Sequence, residues 1–409
     1  MVDFGMTQQM PETAAQRQRI ASPRRQMLRM AATLAMAGFL AACQMVPKAE
    51  GPVAPPPPER PPETGIEPGL PTDTDRHRVA LLVPQTGANA DVGNAIANAT
   101  TLALLDTRTE RLRITTYDTA LGAAAAARQA IADGNKLILG PLLTEDVAAV
   151  APIAREAKVP VLSFSNDSGV AGNGVFIMGF VPGQSVERVV AFARGKGHSR
   201  FGALVPKNVY GDRSAAAFRA AVAEAGGTLV AVESYDRSAT ALTGAARRLA
   251  NGGAMDAVLI ADSGSNAIRA VPIVKGTSGK QILGTELWNT EASLGSNAAM
   301  RGSWFASVSD GLYGQMAASY RTRYGRAPYR LASLGYDSVL LTVRIAREWK
   351  PGTAFPASRL LSADGFGGVD GIFRFNNRGI AMRALEVSEV GAGGFRVIDP
   401  APTKWPDAR

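Results

Sequence analysis

The chain predicts an α/β fold made of two mostly parallel sheets, each flanked by helices. Three observations carry this. From Arg76 onward short apolar runs alternate with helical spacings. Gly- and Pro-containing turns such as Gly140-Pro141 punctuate the alternation. The elements are also too numerous for one ordinary sheet in a segment of about 330 residues. Strands that alternate with helices over short turns are joined by parallel crossovers.

The elements follow in order. Val79-Ala-Leu-Leu-Val83 reads as a buried strand ended by Pro84, Thr86 and Gly87, and 94–105 has helical spacing. Residues 112–117 form a β-rich run stopped by Asp118, before an Ala-rich helix over 122–133. Leu137-Ile-Leu139 is a strand, 145–157 a helix, and 160–165 and 175–178 further strands. A second set of units then begins. Helices over 184–195, 213–225, 242–250 and 265–274 alternate with strands over 201–205, 228–232, 257–261 and 281–283. Helices near 313–324 and 333–349 precede a closing strand pair, 371–375 with 385–390, and a last strand over 395–398.

The N-terminal part has a different composition. Arg17, Arg19, Arg24, Arg25 and Arg29 precede an apolar run over 30–40, too short to span a bilayer, and small residues follow. That is a secretory signal over 1–42, with Met27 as an alternative start. It ends at Leu40-Ala41-Ala42-Cys43, which holds the chain's one cysteine and resembles a bacterial lipobox. The resemblance implies that Cys43 is acylated and becomes the first residue of the mature protein, an ordinary buried thiol being the alternative. By the same resemblance, Gln44 after it implies the outer rather than the inner membrane. Residues 43–75, with ten prolines among Glu, Gly and Thr, cannot bury a core and read as an extended tether. At roughly 3 Å per residue, about thirty residues reach about 90 Å.

Charge excludes some functions. The whole chain carries +9, and the signal's five arginines against Asp3 and Glu12 leave +6 after cleavage. Basic residues are scattered rather than clustered with aromatics, so nucleic acid is not an expected partner. No Gly-x-Ser-x-Gly, Ser-x-x-Lys or His-Glu-x-x-His motif occurs. His77 and His198 read as solvated loop residues, and Gly276-Thr-Ser-Gly-Lys280 lacks phosphate-loop spacing. An enzyme, a metal centre and a cofactor are therefore not expected.

In open α/β sheets ligands sit on loops beyond the carboxyl ends of strands. Those loops offer Thr86, Leu142, Thr144, Ser163 and Ser165 in the first half, with Gln85 and Asn166 beside them. In the second half they offer Tyr210, Asp262, Glu286 and Trp288, with Asn289. Hydroxyls and helix-start N–H groups suit a carboxylate, Glu286 or Asp262 an ammonium, and Tyr210 or Trp288 an aliphatic body. The same residues also serve as ordinary caps and loop polars in such a fold.

Ala80-Leu-Leu-Val-Pro-Gln-Thr-Gly87, Ile138-Leu-Gly-Pro-Leu142, Val159-Pro-Val-Leu-Ser-Phe-Ser165, Tyr210-Gly211 and Gly371-Ile-Phe-Arg-Phe-Asn-Asn-Arg-Gly379 together resemble the type I periplasmic binding proteins, leucine-binding branch. The resemblance implies a two-lobed type I periplasmic binding protein fold with three crossovers and a ligand cleft. Lobe one is expected over 76–181 with 310–350, and lobe two over 182–309 with 351–409. Tyr117-Asp118-Thr119, Ser163-Phe-Ser-Asn166, Gly302-Ser-Trp-Phe-Ala306 and Val397-Ile-Asp-Pro-Ala401, with the lipobox and tether, resemble alphaproteobacterial lipoproteins called penicillin-binding protein activators. Enteric members of that group carry a helical-repeat domain where this chain has only the tether. This likeness implies a non-catalytic, lipid-anchored periplasmic protein whose partner is a bifunctional penicillin-binding protein, a peptidoglycan synthase. The alternative is the substrate-binding protein of an ABC importer for amino acids or similar small solutes.

Overall fold

A computed structural model describes residues 75–236, 238–276 and 279–405. Cys43, the signal over 1–42 and nearly all of the tether over 43–75 lie outside the described residues. Strands β1 (His77–Val83), β2 (Leu112–Asp118), β3 (Leu137–Leu139), β4 (Val161–Ser163) and β5 (Val175–Ile177) form a parallel sheet in the order β2-β1-β3-β4-β5. A second sheet repeats that order with β6 (Arg200–Pro206), β7 (Thr228–Tyr235), β8 (Ala257–Ile260), β9 (Gln281–Gly284) and β10 (Trp304–Ser307). It is extended antiparallel by β14 (Glu386–Gly391) and β15 (Gly394–Asp399).

Successive residues of a strand face opposite sides of its sheet, and both sheets use the alternation to build two cores. In the first lobe Val79, Leu81 and Val83 pack against α1 (Ala90–Thr107) and α10 (Ala332–Ala346). Ala80 and Leu82 instead meet α2 (Ala123–Ala132) and α3 (Thr144–Glu156). In the second lobe Leu204 and Ile260 face α6 (Ala239–Asn251) and α7 (Gly264–Lys275). There Ala203 and Leu259 face α4 (Pro182–Gly195) and α5 (Val209–Glu224). The short helix α8 (Ser293–Ser296) and the helix α9 (Gly311–Tyr324) complete the set.

The first strand of each sheet ends on Val-Pro, and the helix that follows is pressed against that proline. A Cβ on Gly93 would lie 1.8 Å from the Pro84 carbonyl oxygen, and one on Gly211 would lie 1.8 Å from that of Pro206. Only glycine permits this approach, and it brings the helix start to the point where the strand order reverses. In open α/β sheets that point is where ligands bind.

Three expectations are corrected. Residues 371–375 and 385–390 do not pair. Gly371–Phe375 is β12, between β11 (Phe366–Gly368) and β13 (Ala381–Arg383), whereas 386–391 pairs with β10. The 351–409 segment is not one piece of lobe two either. Phe355, Leu360, Phe366, Phe373 and Phe375 are buried in the same core as Leu81 and Leu341, so the chain stays in the first lobe until Arg383. The aromatic content of this stretch is the reason, since each buried ring removes a large apolar area from water. The crossovers between lobes are therefore 178–181, 308–310 and 384–385. His77 is not a solvated loop residue: it is buried on β1 and stacked on Trp349 with centroids 3.9 Å apart, and burial lowers its pKa. Among the described residues no helix is long and apolar enough to cross a membrane.

Candidate functional site

The carboxyl ends of the two sheets face each other across a cleft of about 470 Å³. Asn89 and Val92 follow β1, Leu142 and Leu143 follow β3, and Phe164 and Asn166 follow β4. Tyr210 enters from the start of α5, Glu286 and Leu287 come from the turn after β9, and Arg330 and Leu331 precede α10. Of the expected contacts, Leu142, Asn166, Tyr210 and Glu286 line this space.

Tyr210 and Glu286 are engaged with the protein itself. The Tyr210 hydroxyl donates to Glu286 Oε1 at 3.1 Å and lies 2.8 Å from Thr285 Oγ1. Ser185 Oγ donates to the other carboxylate oxygen, Oε2. Burial raises the Glu286 pKa, although both hydrogen bonds pull it down. Burial and the adjacent Glu286 charge push Tyr210 well above its ordinary value. Two protein hydroxyls thus already occupy part of the carboxylate's acceptor capacity, one on each oxygen.

The other expected residues lie elsewhere, each for a local reason. Thr86 Oγ1 donates to Asp118 Oδ2 at 2.7 Å, beside the Gln85 N–H on Oδ1. Ser163 is fully buried. Its hydroxyl donates to the Pro141 carbonyl and accepts the Ser165 N–H, both at 3.0 Å. Ser165 Oγ accepts from the Asp167 N–H and lies 3.1 Å from Thr144 Oγ1. These hydroxyls thus tie the loops after β3 and β4 together. Asp262 is buried, with one oxygen on the Tyr235 hydroxyl and the other on the Ser263 N–H. Trp288 has no exposed surface and donates from Nε1 to the Asp262 carbonyl at 2.9 Å. It fits because a Cβ on Gly284 would meet its ring at 2.3 Å. Lacking that Cβ, Gly284 lets the largest side chain sink into the core.

Sequence reasoning passed over a group of charges at the hinge side of the cleft. Arg330 Nη1 donates to Asp370 Oδ1 at 2.5 Å, and its guanidinium lies 3.8 Å from the Tyr313 ring centroid. Ser333 Oγ donates to Asp370 Oδ2 at 2.7 Å. Arg383 lies between the rings of Phe180 and Phe373, donates to the Met178 carbonyl at 2.6 Å and reaches Asp370 at 3.9 Å. Burial lowers the Arg383 pKa. It would also lower that of Arg330, but the charge and hydrogen bond of Asp370, with smaller contributions from Asp310 and Tyr313, together more than offset it. Asp337, buried and beside Asp370, is pushed up to about 7. The signal available in sequence was a pair of arginines flanked by apolar residues, Arg330 before Leu331 and Arg383 before Ala384-Leu385.

The lobes are also joined across the cleft. Arg213 of α5 pairs with Asp167 of the first lobe at 2.7 Å. Gln184 of α4 donates to the Ala381 carbonyl and accepts the Arg383 N–H, both at 2.8 Å.

A family model described as periplasmic binding protein matches residues 77–394. A curated relative, the uncharacterized protein RP748 of Rickettsia prowazekii, is 25% identical over 175 residues, or 42% of this chain and 47% of that protein. The chain therefore matches about half the length of that relative. Among solved structures, a protein assigned to branched-chain amino acid ABC transport in Rhodospirillum rubrum superposes with a TM-score of 0.71 at 23% identity. It covers 79% of this chain and 100% of its own. The leucine-binding protein LivK of Thermotoga maritima gives 0.58 at 21%, covering 78% and 97%. Full-length LpoA of Haemophilus influenzae gives 0.63 at 17%, covering 80% of this chain and 59% of LpoA. At these identities the structures speak to fold alone.

Proposed function

This chain belongs to the periplasmic binding protein family, and from that footing we propose that it is a non-catalytic activator of a penicillin-binding protein. The observation that carries this is the state of Glu286. The cleft carboxylate best placed for an amino-acid ammonium already holds Ser185 and Tyr210, and Asp262, the other acid in view, is buried on Tyr235. A cleft arranged this way suits a protein that works through its outer surface. The likeness to LpoA and the activator-like motifs support the same reading. On it, Cys43 carries lipid, the Pro-rich stretch over 43–75 gives reach, and the lobes sit in the periplasm on an outer-membrane anchor. The partner is a bifunctional peptidoglycan synthase.

A second reading, the receptor of an ABC importer, draws on the cleft volume and on the transport proteins that share this fold. Crosslinking in intact cells, followed by capture of the full chain and identification of the bound membrane protein, separates the two. A bifunctional synthase is expected. Recovery of a permease with its ATPase would establish the receptor instead.

A further inference from the structure

The chain passes between the lobes once more after its three crossovers. β15 is the outermost strand of the second sheet. Its last residue, Asp399, pairs with Arg188 of α4 at 2.5 Å. The same guanidinium donates from Nε to the Leu385 carbonyl, on the third crossover, at 3.0 Å. By Trp405 the chain is on the first lobe. There the Arg374 guanidinium of β12 lies 4.7 Å from the Trp405 ring centroid. The ring also lies against Gly365, where a Cβ would come within 2.8 Å of the indole nitrogen. The Gly365 carbonyl accepts from Arg344 Nη1 of α10 at 2.9 Å, so the first lobe's own helix steadies this seat.

The ends of this segment are anchored and its middle is not. Pro400, Pro402, Thr403 and Lys404 are exposed. Residues 400–403 form one wall of a groove of about 700 Å³, together with Leu312 and Met316 of α9, Leu340 of α10 and Val369 beside β11. Side chains left in water along an open groove draw little stability from burial. The composition suits a tie instead. Each proline fixes φ at about −65°, so a Pro-x-Pro run is extended and semi-rigid. Such a run also has less freedom to lose when it spans a gap. The Trp405 ring supplies a large apolar anchor at the far end. Its N–H is buried without a hydrogen-bond partner, so the seat rests on the ring and not on the donor.

We propose that residues 400–405 are a latch, a stiff tie from the second lobe's edge strand to the first lobe, seated by Trp405. The latch limits how far the lobes swing and twist about the three crossovers. Hinges are a few residues that absorb the change in backbone angle, and the crossovers are short segments of that kind. A tie whose two ends sit on packed elements of different lobes opposes the bending. It does so through the chain itself and needs no bound molecule in the cleft. The inference goes beyond the activator reading and stands whichever partner is captured.

The test is hydrogen exchange of the full chain, read by mass spectrometry over the crossovers 178–181, 308–310 and 384–385 and over the Trp405 seat at 365–375. Trp405→Ala removes the anchor, and exchange should quicken several-fold at the crossovers and at the seat. Insertion of Gly-Gly-Ser-Gly between Pro402 and Thr403 keeps both anchors but adds up to about 14 Å of slack. In that variant the crossovers should quicken and the seat should not. Trp405→Phe keeps a ring for Arg374 and should match the parent at both places. Unchanged crossover exchange in the insertion variant would overturn the latch and leave Trp405 a packing residue of the first lobe. Unchanged crossover exchange in Trp405→Ala would do the same. The insertion variant decides the matter alone if Trp405→Ala does not fold.

Discussion

Tyr210 and Glu286 face each other across the cleft floor at 3.1 Å, with the hydroxyl donating to the carboxylate. Tyr210→Phe removes that donor and leaves a shielded carboxylate with Ser185 alone among side-chain hydroxyls. The expected loss is about 1–2 kcal/mol of unfolding free energy at pH 7, read from urea denaturation. The loss should shrink at acid pH, because a hydrogen bond to an ionised group is the stronger one. Unchanged stability at pH 7 would remove the pair from the account of the cleft.

The same engagement of Glu286 predicts that α-amino acids do not stabilise the protein. Leucine, alanine and glutamate at a hundred times a typical receptor's Kd would add about 2.7 kcal/mol to a true binder. For the full chain the expected change in melting temperature is under about 1 °C. A rise of several degrees with any of the three would favour the solute-receptor reading.

Arg213 and Asp167 bridge the lobes at 2.7 Å, and the Asp167 side chain is only 10% exposed. Asp167 Oδ1 also accepts the Gly169 N–H, which Asn at this position can keep. Asp167→Asn should therefore loosen the bridge without unfolding the loop. Small-angle scattering should give a larger radius of gyration for the variant, and amide exchange should quicken near the start of α5. Identical scattering and exchange would mean that the pair does not restrain the lobes.

Gly335 on α10 lets that helix rest on α1. A Cβ there would lie 2.6 Å from the Ile96 carbonyl oxygen and 2.7 Å from Thr100 Oγ1. Gly335→Ala gains helix propensity but forces the two helices apart. The overpacking should dominate, with a net loss of about 1–3 kcal/mol. A variant as stable as the parent in denaturant would show that the helices have slack.

Asp337 gives a pH signature with a definite sign. Its pKa in the folded protein is about 7, against 3.8 unfolded. Between these values the folded state holds the extra proton, so this group's contribution to stability falls as pH rises through the interval and levels off above it. Asn in its place can keep the Val369 N–H bond to Oδ1 and does not titrate. The stability difference, Asp337→Asn minus parent, should therefore rise from about pH 4 to pH 7. A flat difference across that range would show that Asp337 titrates normally.

The strand-helix alternation was legible because each short strand is almost wholly apolar, as Val79–Val83 is, and is closed by a Gly or Pro turn. Leu142, Tyr210 and Glu286 could be placed at the cleft because they directly follow strands or begin helices. Strand pairing near the C-terminus was not legible. β14 joins β10 across some eighty residues, and nothing local in Glu386–Gly391 announces that partner. Trp288 misled for a different reason. An aromatic after a strand looks like a cleft wall, and only the bare Cα of Gly284 beside it allows the ring into the core. Ser163 and Ser165 look like free hydroxyls until the neighbouring loops supply their partners. Arg330 and Arg383 stand far apart in sequence, and only the third dimension sets both against Asp370.

The late return of the chain to the first lobe constrains how the protein can be made. Synthesis runs from β1 toward Arg409, so the sheet carrying Val79, Leu81 and Val83 emerges early. Its aromatic cover, Phe366, Phe373 and Phe375, emerges some three hundred residues later. The second lobe's β6 to β10 run continuously between these pieces and have their partners at hand much sooner. Contacts between distant residues close slowly, and uncovered apolar surface is prone to aggregate meanwhile. The first lobe's sheet therefore waits longest for its aromatic cover, and its bare face is the surface a chaperone must shield until Phe366, Phe373 and Phe375 have emerged.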